Sequence, residues 1–239
     1  MYARPTVDGK LLSFGVSGKL WKDALIMYDR ETDSLWSHVT GTAIKGKLAG
    51  KRLKLFPAIH TTWAEWKQLY PGSLVLTKES TLGYEGTRNV YESYFANEGQ
   101  LGIFGTENPD KSLPGKEFVL GLTLDKVAVA YPYRHLSRQP LVNDVVAGQP
   151  LVVAFSARSA TGVVFSRKVA GRTLTFTNLR REQGELLMDD AETKSTWRAL
   201  SGEAIRGRLA RTRLDQLPST TGFWFAWKGF YPETVVWKP

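Results

Sequence analysis

A few side chains in this sequence have the type and spacing for chemistry. Asp29 and Glu31 recur as Asp190 and Glu192, and paired carboxylates are the material of acid–base hydrolysis. Both pairs sit in polar turns rich in Asp and Thr, where such residues serve local hydrogen bonds, and their recurrence speaks for structure. Ser17, in Gly15-Val16-Ser17-Gly18, falls one residue short of the Gly-x-Ser-x-Gly nucleophile elbow, and no strand-elbow-helix pattern follows. Ser156 and Ser159 are nucleophiles only with a base beside them, and the sequence assigns none. His60 precedes a capped helix and is a candidate base, although a lone histidine is more often structural. Walker and dinucleotide glycine loops are absent. No residue is therefore given a catalytic role, and no cofactor is implied.

Binding has better candidates. Trp63 with Trp66, and Trp224 with Trp227, lie three apart, which places each pair on one helix face. Tryptophan suits sugars, aromatics and cations, but the same spacing serves a helix that buries this face against a sheet. With His60 the four form the candidate ligand set. A second candidate is basic: Lys45, Lys47, Lys51 and Arg52 in one stretch, Arg206, Arg208, Arg211 and Arg213 in another. They read either as polyanion-binding patches or as outward positions of two solvated strands, and the alternation Lys-Gly-Lys-Leu and Arg-Gly-Arg-Leu favours the second.

The elements that must position these residues are written twice. Ile26 to Leu76 aligns without a gap on Leu187 to Trp237, an offset of 161, with 21 identities in 51 pairs. Such internal similarity marks one structural unit duplicated. The expected fold is mainly β: two pseudo-repeats of short antiparallel strands, each with one short Trp-bearing helix. In the first, Lys10 to Val16 and Leu25 to Tyr28 are strands, Asp29 to Asp33 is a turn, and Thr62-Trp63-Ala64-Glu65 has capping-box spacing. In the second, hairpins are expected about Asp125, about Ala147-Gly148-Gln149, and between Gly162–Arg167 and Arg172–Phe176. The C-terminal helix has its N-cap at Ser219, Thr220 or Thr221. The division is 1–76, a connector over 77–118 whose Tyr84, Tyr91, Tyr94 and Phe95 imply an ordered excursion over the core, and 119–239.

Composition sets further bounds. With 42% hydrophobic residues the chain buries a sizeable core. The absence of cysteine removes disulfides, thiolate nucleophiles and Cys-ligated metal; three histidines far apart in sequence make a His-rich metal site hard to build, and a carboxylate-only site for a hard cation stays open without a loop signature. The net charge of +9 divides as about +5 in each repeat, with a connector near neutral. No apolar run reaches membrane-spanning length, and the first ten residues lack the apolar region of a signal peptide. A cytoplasmic protein or a missing upstream segment is expected.

Phe14-Gly15-Val16-Ser17-Gly18, Met27-Tyr28-Asp29-Arg30-Glu31-Thr32 with Ser34-Leu35-Trp36, Thr61-Thr62-Trp63-Ala64-Glu65-Trp66, Leu113-Pro114-Gly115-Lys116 and Val142-Asn143-Asp144 together resemble a bacterial and archaeal domain family of unknown function. The resemblance covers nearly the whole chain and implies an extracytoplasmic setting. It also implies a Tyr-Cys-Pro-Leu-Cys motif before the Gly-Val-Ser-Gly turn; here Ser156 and Ser159 stand where the cysteines would, and in the first repeat that segment would precede Met1. An incomplete first repeat exposes a sheet edge, and such edges recruit partners. A protein partner or self-association there is expected; nucleic acid is not.

The favoured function is a non-catalytic binding or assembly module on a duplicated β scaffold. The alternatives are a fragment of a thiol- or metal-dependent redox protein or enzyme whose motif lies upstream of Met1, and polyanion or nucleic-acid binding through the basic strands.

Overall fold

The computed structural model describes residues 1–7, 9–75, 91–106, 108 and 110–239; Tyr84 lies outside the described residues. The chain opens with a small hairpin, β1 (Thr6–Val7) and β2 (Lys10–Leu11). A four-stranded antiparallel sheet follows in chain order: β3 (Phe14–Trp21), β4 (Ala24–Asp29), β5 (Leu35–Ser37) and β6 (Ala43–Lys45). Next come helix α1 (Trp63–Leu69) and the short α2 (Glu92–Ala96). A hairpin of β7 (Phe118–Leu124) and β8 (Val127–Pro132) leads through the single turn α3 (Tyr133–Leu136) to a three-stranded sheet, β9 (Leu141–Val146), β10 (Gln149–Ser156) and β11 (Thr161–Ser166). After the small hairpin β12 (Lys168–Val169) and β13 (Arg172–Thr173), a second four-stranded sheet runs β14 (Phe176–Glu182), β15 (Glu185–Asp190), β16 (Thr196–Arg198), β17 (Ala204–Arg206). The chain closes with β18 (Ser219–Phe223), α4 (Trp224–Phe230) and β19 (Val235–Val236). The described residues are mainly β, with several antiparallel sheets and four short helices.

The central strand β10 explains the layering. Its continuous apolar run, Leu151 to Phe155, is buried on both faces, which only an inner layer allows. Successive side chains of a strand point to opposite faces. Val152 and Ala154 therefore enter one core with Phe176, Met188 and Trp197, beneath the β14–β17 sheet. Leu151, Val153 and Phe155 enter another with Leu120, Tyr131 and Leu136, beneath β7 and β8. On its far side the β7–β8 hairpin packs Val119 and Ala130 on Trp224 and Trp227 of α4.

This hairpin is clasped from both flanks. β18 pairs antiparallel with β7, Thr220 opposite Gly121, and β19 pairs parallel with β8, Val235 opposite Val129. The N-cap expected at Ser219 to Thr221 is overturned here: those residues form β18, the cap position is Phe223, and it makes no side-chain cap bond. The free N–H groups of Trp224 and Phe225 instead donate to the carbonyls of Glu117 and Gly115. Strand pairing outcompeted the local hydroxyl cap.

Three further expectations change. Gly162 belongs to β11, which pairs with β10, so the expected third hairpin shrinks to β12 and β13 about Ala170-Gly171. Residues 119–239, expected to carry one helix, carry α3 besides the Trp-bearing α4. Gly15 to Gly18 lies within strand β3, with a bulge between Val16 and Leu20.

The β3–β6 sheet encloses a smaller core of Leu12, Trp36, Ala43, Leu48 and Leu53. Tyr2 bridges to Leu55 and lies against Gly41, as Phe165 bridges to Gln216 and lies against Gly202. Outer strand β3 leaves Val16 exposed.

Candidate functional site

The turn between β10 and β11 gathers the hydroxyl groups. Ala160 takes a left-handed conformation (φ 47°), and the chain reverses tightly enough for the Ser159 hydroxyl to donate to Ser156 Oγ at 3.0 Å. Ser159 Oγ lies 2.8 Å from Thr161 Oγ1, and Thr161 donates to Thr61 Oγ1 at 2.7 Å. All but Thr61 of these four hydroxyl residues are buried. Glu65 of α1, also buried, receives Arg181 Nη2 at 3.1 Å, and the same nitrogen donates to Ser156 Oγ at 2.7 Å. The capping box is thus half made. Thr62 accepts the Glu65 N–H at 3.3 Å, but the carboxylate turns inward to the guanidinium, since a buried charge needs an opposite charge more than an exposed amide needs a cap.

Beside this centre lies a cleft of 160 Å³ lined by His60, Thr61, Ser159, Phe118, Tyr133 and Thr221. Burial raises the Tyr133 phenol above its ordinary pKa, with the hydrogen bond to Thr221 working against it. Ser156 and Ser159 bond to hydroxyls, a carboxylate and a guanidinium, while His60 lines the cleft mouth. No hydrogen bond joins His60 to either serine among the described residues. Among the described residues no three His, Asp or Glu side chains are grouped to hold a metal. Glu65→Ala removes the carboxylate that Arg181 and Ser156 share, leaving the guanidinium only the Ser156 hydroxyl and the Gly184 carbonyl. It is expected to cost about 3 kcal/mol in urea unfolding, well above the loss for Glu65→Gln, which keeps an acceptor oxygen.

The two carboxylate pairs are structural in both halves. Asp29 accepts the Trp36 indole N–H at 2.8 Å and the Thr32 N–H at 2.6 Å, and Asp190 accepts those of Trp197 at 2.9 Å and Thr193 at 2.5 Å. Thr32 passes the network to Ser34 and Thr193 to Ser195, whose hydroxyls accept the N–H of Leu48 and of Leu209. Gly46 and Gly207 close it: at φ 100° and 90°, an added Cβ would lie 2.7 and 2.6 Å from the Cα of Ser34 and Ser195. Glu31 accepts the Ser13 N–H and hydroxyl, and Glu192 the Thr175 N–H. Ser17 is likewise tied, donating to the Ile26 carbonyl at 2.6 Å.

The tryptophans divide by copy. Trp66 and Trp227 make the same bond, to Ser73 at 2.8 Å and to Thr234 at 2.9 Å. Trp224 is 0% exposed and Trp63 49%. Of the four aromatic ligand candidates, then, Trp224 and Trp227 are core residues beneath β7 and β8. The basic residues are exposed, but they sit at the ends of β6 and β17 and in the loops that follow. Arg206 pairs with Glu182 at 2.9 Å and Arg213 with Glu203 at 3.8 Å.

Sequence reasoning missed Arg181, Tyr133 and Asn143. Arg181 is one of several arginines in a polar strand, and only the fold shows that it reaches a glutamate 116 positions away. Asn143 accepts the Phe176 N–H at 2.9 Å and donates to its carbonyl at 2.8 Å, locking β9 to β14. Its only signal was the Val142-Asn143-Asp144 segment of the family resemblance.

No helix among the described residues is long and apolar enough to cross a membrane. No match was found among curated proteins or among solved structures. A family model described as a protein of unknown function, DUF3179, matches residues 1–234, and on that near-complete span the chain belongs to the DUF3179 family.

Proposed function

We propose that the protein is a non-catalytic binding module, a duplicated scaffold of residues 1–76 and 119–239 joined by a connector, that holds another polypeptide against its first copy. One observation carries the reading. Leu74 is 99% exposed and Trp63 half exposed, and Leu74 and Val75 pair with no strand among the described residues, whereas Val235 and Val236 pair their backbones with β8 and Trp224 lies beneath it; the Val235 side chain, at 58%, is as exposed as that of Val75 at 56%. Aromatic and aliphatic side chains clustered at a groove are the usual material of a protein contact. The hydroxyl centre supports the non-catalytic part, because its oxygens bond to one another and to an ion pair.

A peptide-display selection tests this. Binders should enrich on the native protein and be lost on Leu74→Lys, a change at a solvated side chain that leaves the unfolding midpoint in place. Failure to enrich any binder that distinguishes the two proteins would sink the reading.

A further inference from the structure

The uncovered face of the first copy has the form of an empty clasp. A groove of 430 Å³ is lined by Ile59, Thr61, Trp63, Trp66, Leu74 and Val75. At the offset of 161 these become Thr220, Gly222, Trp224, Trp227, Val235 and Val236. In the second copy every one of those six contributes to the seat of the β7–β8 hairpin. Thr220 and Gly222 pair with Gly121 and Val119 on one flank, and Val235 and Val236 with Val129 and Ala130 on the other. Trp224 packs with Val119 and Ala130. Trp227 lies so close to Gly121 that an added Cβ would come within 2.3 Å of the indole.

We infer that the first-copy groove binds a two-stranded antiparallel β-hairpin of another polypeptide, inserted between the Ile59–Thr61 segment and the Leu74–Val75 segment. This contact rests on the binding role proposed above and specifies the class of partner. The second copy dictates the occupant's chemistry. Its outer strand carries glycine over Trp66, where any side chain would collide with the ring. An aliphatic residue two positions before that glycine, as Val119 stands to Gly121, faces Trp63. The second strand runs parallel to Leu74–Val75, offering two small or β-branched residues. Backbone pairing at both flanks supplies affinity and the glycine supplies selectivity, as in other strand-addition contacts. Leu74 and Val75 pair with no strand among the described residues, so one rail of the clasp is open.

The probe is a synthetic peptide of residues 117–133, the chain's own β7–β8 hairpin, labelled with fluorescein and followed by anisotropy against the full chain. Saturable binding is expected. It should weaken at least about tenfold for Leu74→Lys and for Val75→Pro, which removes a strand N–H. A peptide with Gly121→Trp should show a similar loss. Leu74→Lys changes a solvated side chain, so it remains informative if Val75→Pro does not fold. Two results overturn the inference: no binding by a native protein of normal circular dichroism, or binding that persists in Leu74→Lys but is lost in Val235→Pro, which would place the peptide in the second-copy clasp. If the display selection yields Leu74-dependent binders while this peptide fails, the hairpin assignment falls and the binding role stands.

Discussion

Asp190→Ala lowers the unfolding free energy by about 3–5 kcal/mol, because it removes the acceptor on which four donors converge inside a closed core. The carboxylate takes the N–H groups of Thr193 and Ser195, the Thr193 hydroxyl and the Trp197 indole, and Asp190 itself is 1% exposed. Water cannot replace it without opening the sheet. Asp29→Ala follows the same logic in the first copy with a smaller loss, since Thr32 there lies nearer solvent. The pH dependence has a definite sign. Burial alone would raise both carboxyls, yet donors from Trp197, Thr193 and Ser195, and from Trp36, Thr32 and Ser34, outweigh it and hold both below the ordinary value. A lowered folded pKa gives stability that is complete above the unfolded value of roughly 3.9 and drains as the pH falls through the folded one. Asp190→Asn should therefore show a shallower decline in unfolding free energy below about pH 4 than the native protein. Urea unfolding at a series of pH values checks both points; an acid limb of equal steepness in Asp190→Asn would refute the assignment.

Trp224→Ala and Trp63→Ala should differ more than any other pair of equivalent substitutions. Trp224 fills the space between α4 and the β7–β8 hairpin, packs with Leu113, Val119 and Ala130, and donates its indole N–H to the Asp110 carbonyl at 3.0 Å. Its removal leaves a cavity too enclosed to collapse and costs about 3–5 kcal/mol. Trp63, half exposed at the groove rim, should cost under about 1 kcal/mol. Thermal unfolding of the two variants side by side decides the matter. Equal losses would mean that Trp63 is covered in solution by something that Trp224 alone has in the folded chain.

Legibility of the fold from sequence followed the range of the forces involved. The β7–β8 and β9–β10 hairpins were readable because a left-handed residue between alternating apolar runs is a local signal, and Asp125 and Ala147 do take positive φ. Trp36 and Trp197 recur at the repeat offset, but that each is buried in its sheet is seen only in the fold. What stayed hidden was long-range competition for local groups. Thr220 looked like a helix cap and became a strand residue, because β7 offered it a ladder across 99 positions. Glu65 looked like a capping-box carboxylate and became the counter-ion of Arg181. At the candidate site, Ser156 and Ser159 were legible as a pair, whereas the groups that restrain them, Glu65, Arg181 and Thr61, come from segments that nothing in their own neighbourhoods links to that turn. The open clasp was half visible: the repeat announced that Leu74–Val75 equals Val235–Val236, but only the sheet shows what the second pair holds.

The order in which the two clasps are made has a consequence for biosynthesis. A ribosome delivers residues 59–75 first, then the β7–β8 hairpin, and only about 100 residues later β19, which completes the hairpin's seat in the folded protein. At ~5–20 residues per second, that interval lasts roughly 5–20 s. Throughout it the hairpin's second flank, β19, is still to be made, while the Leu74–Val75 segment has already been delivered. If the groove takes a hairpin as inferred above, vectorial synthesis sets the first copy's groove in competition with the second for the same strands.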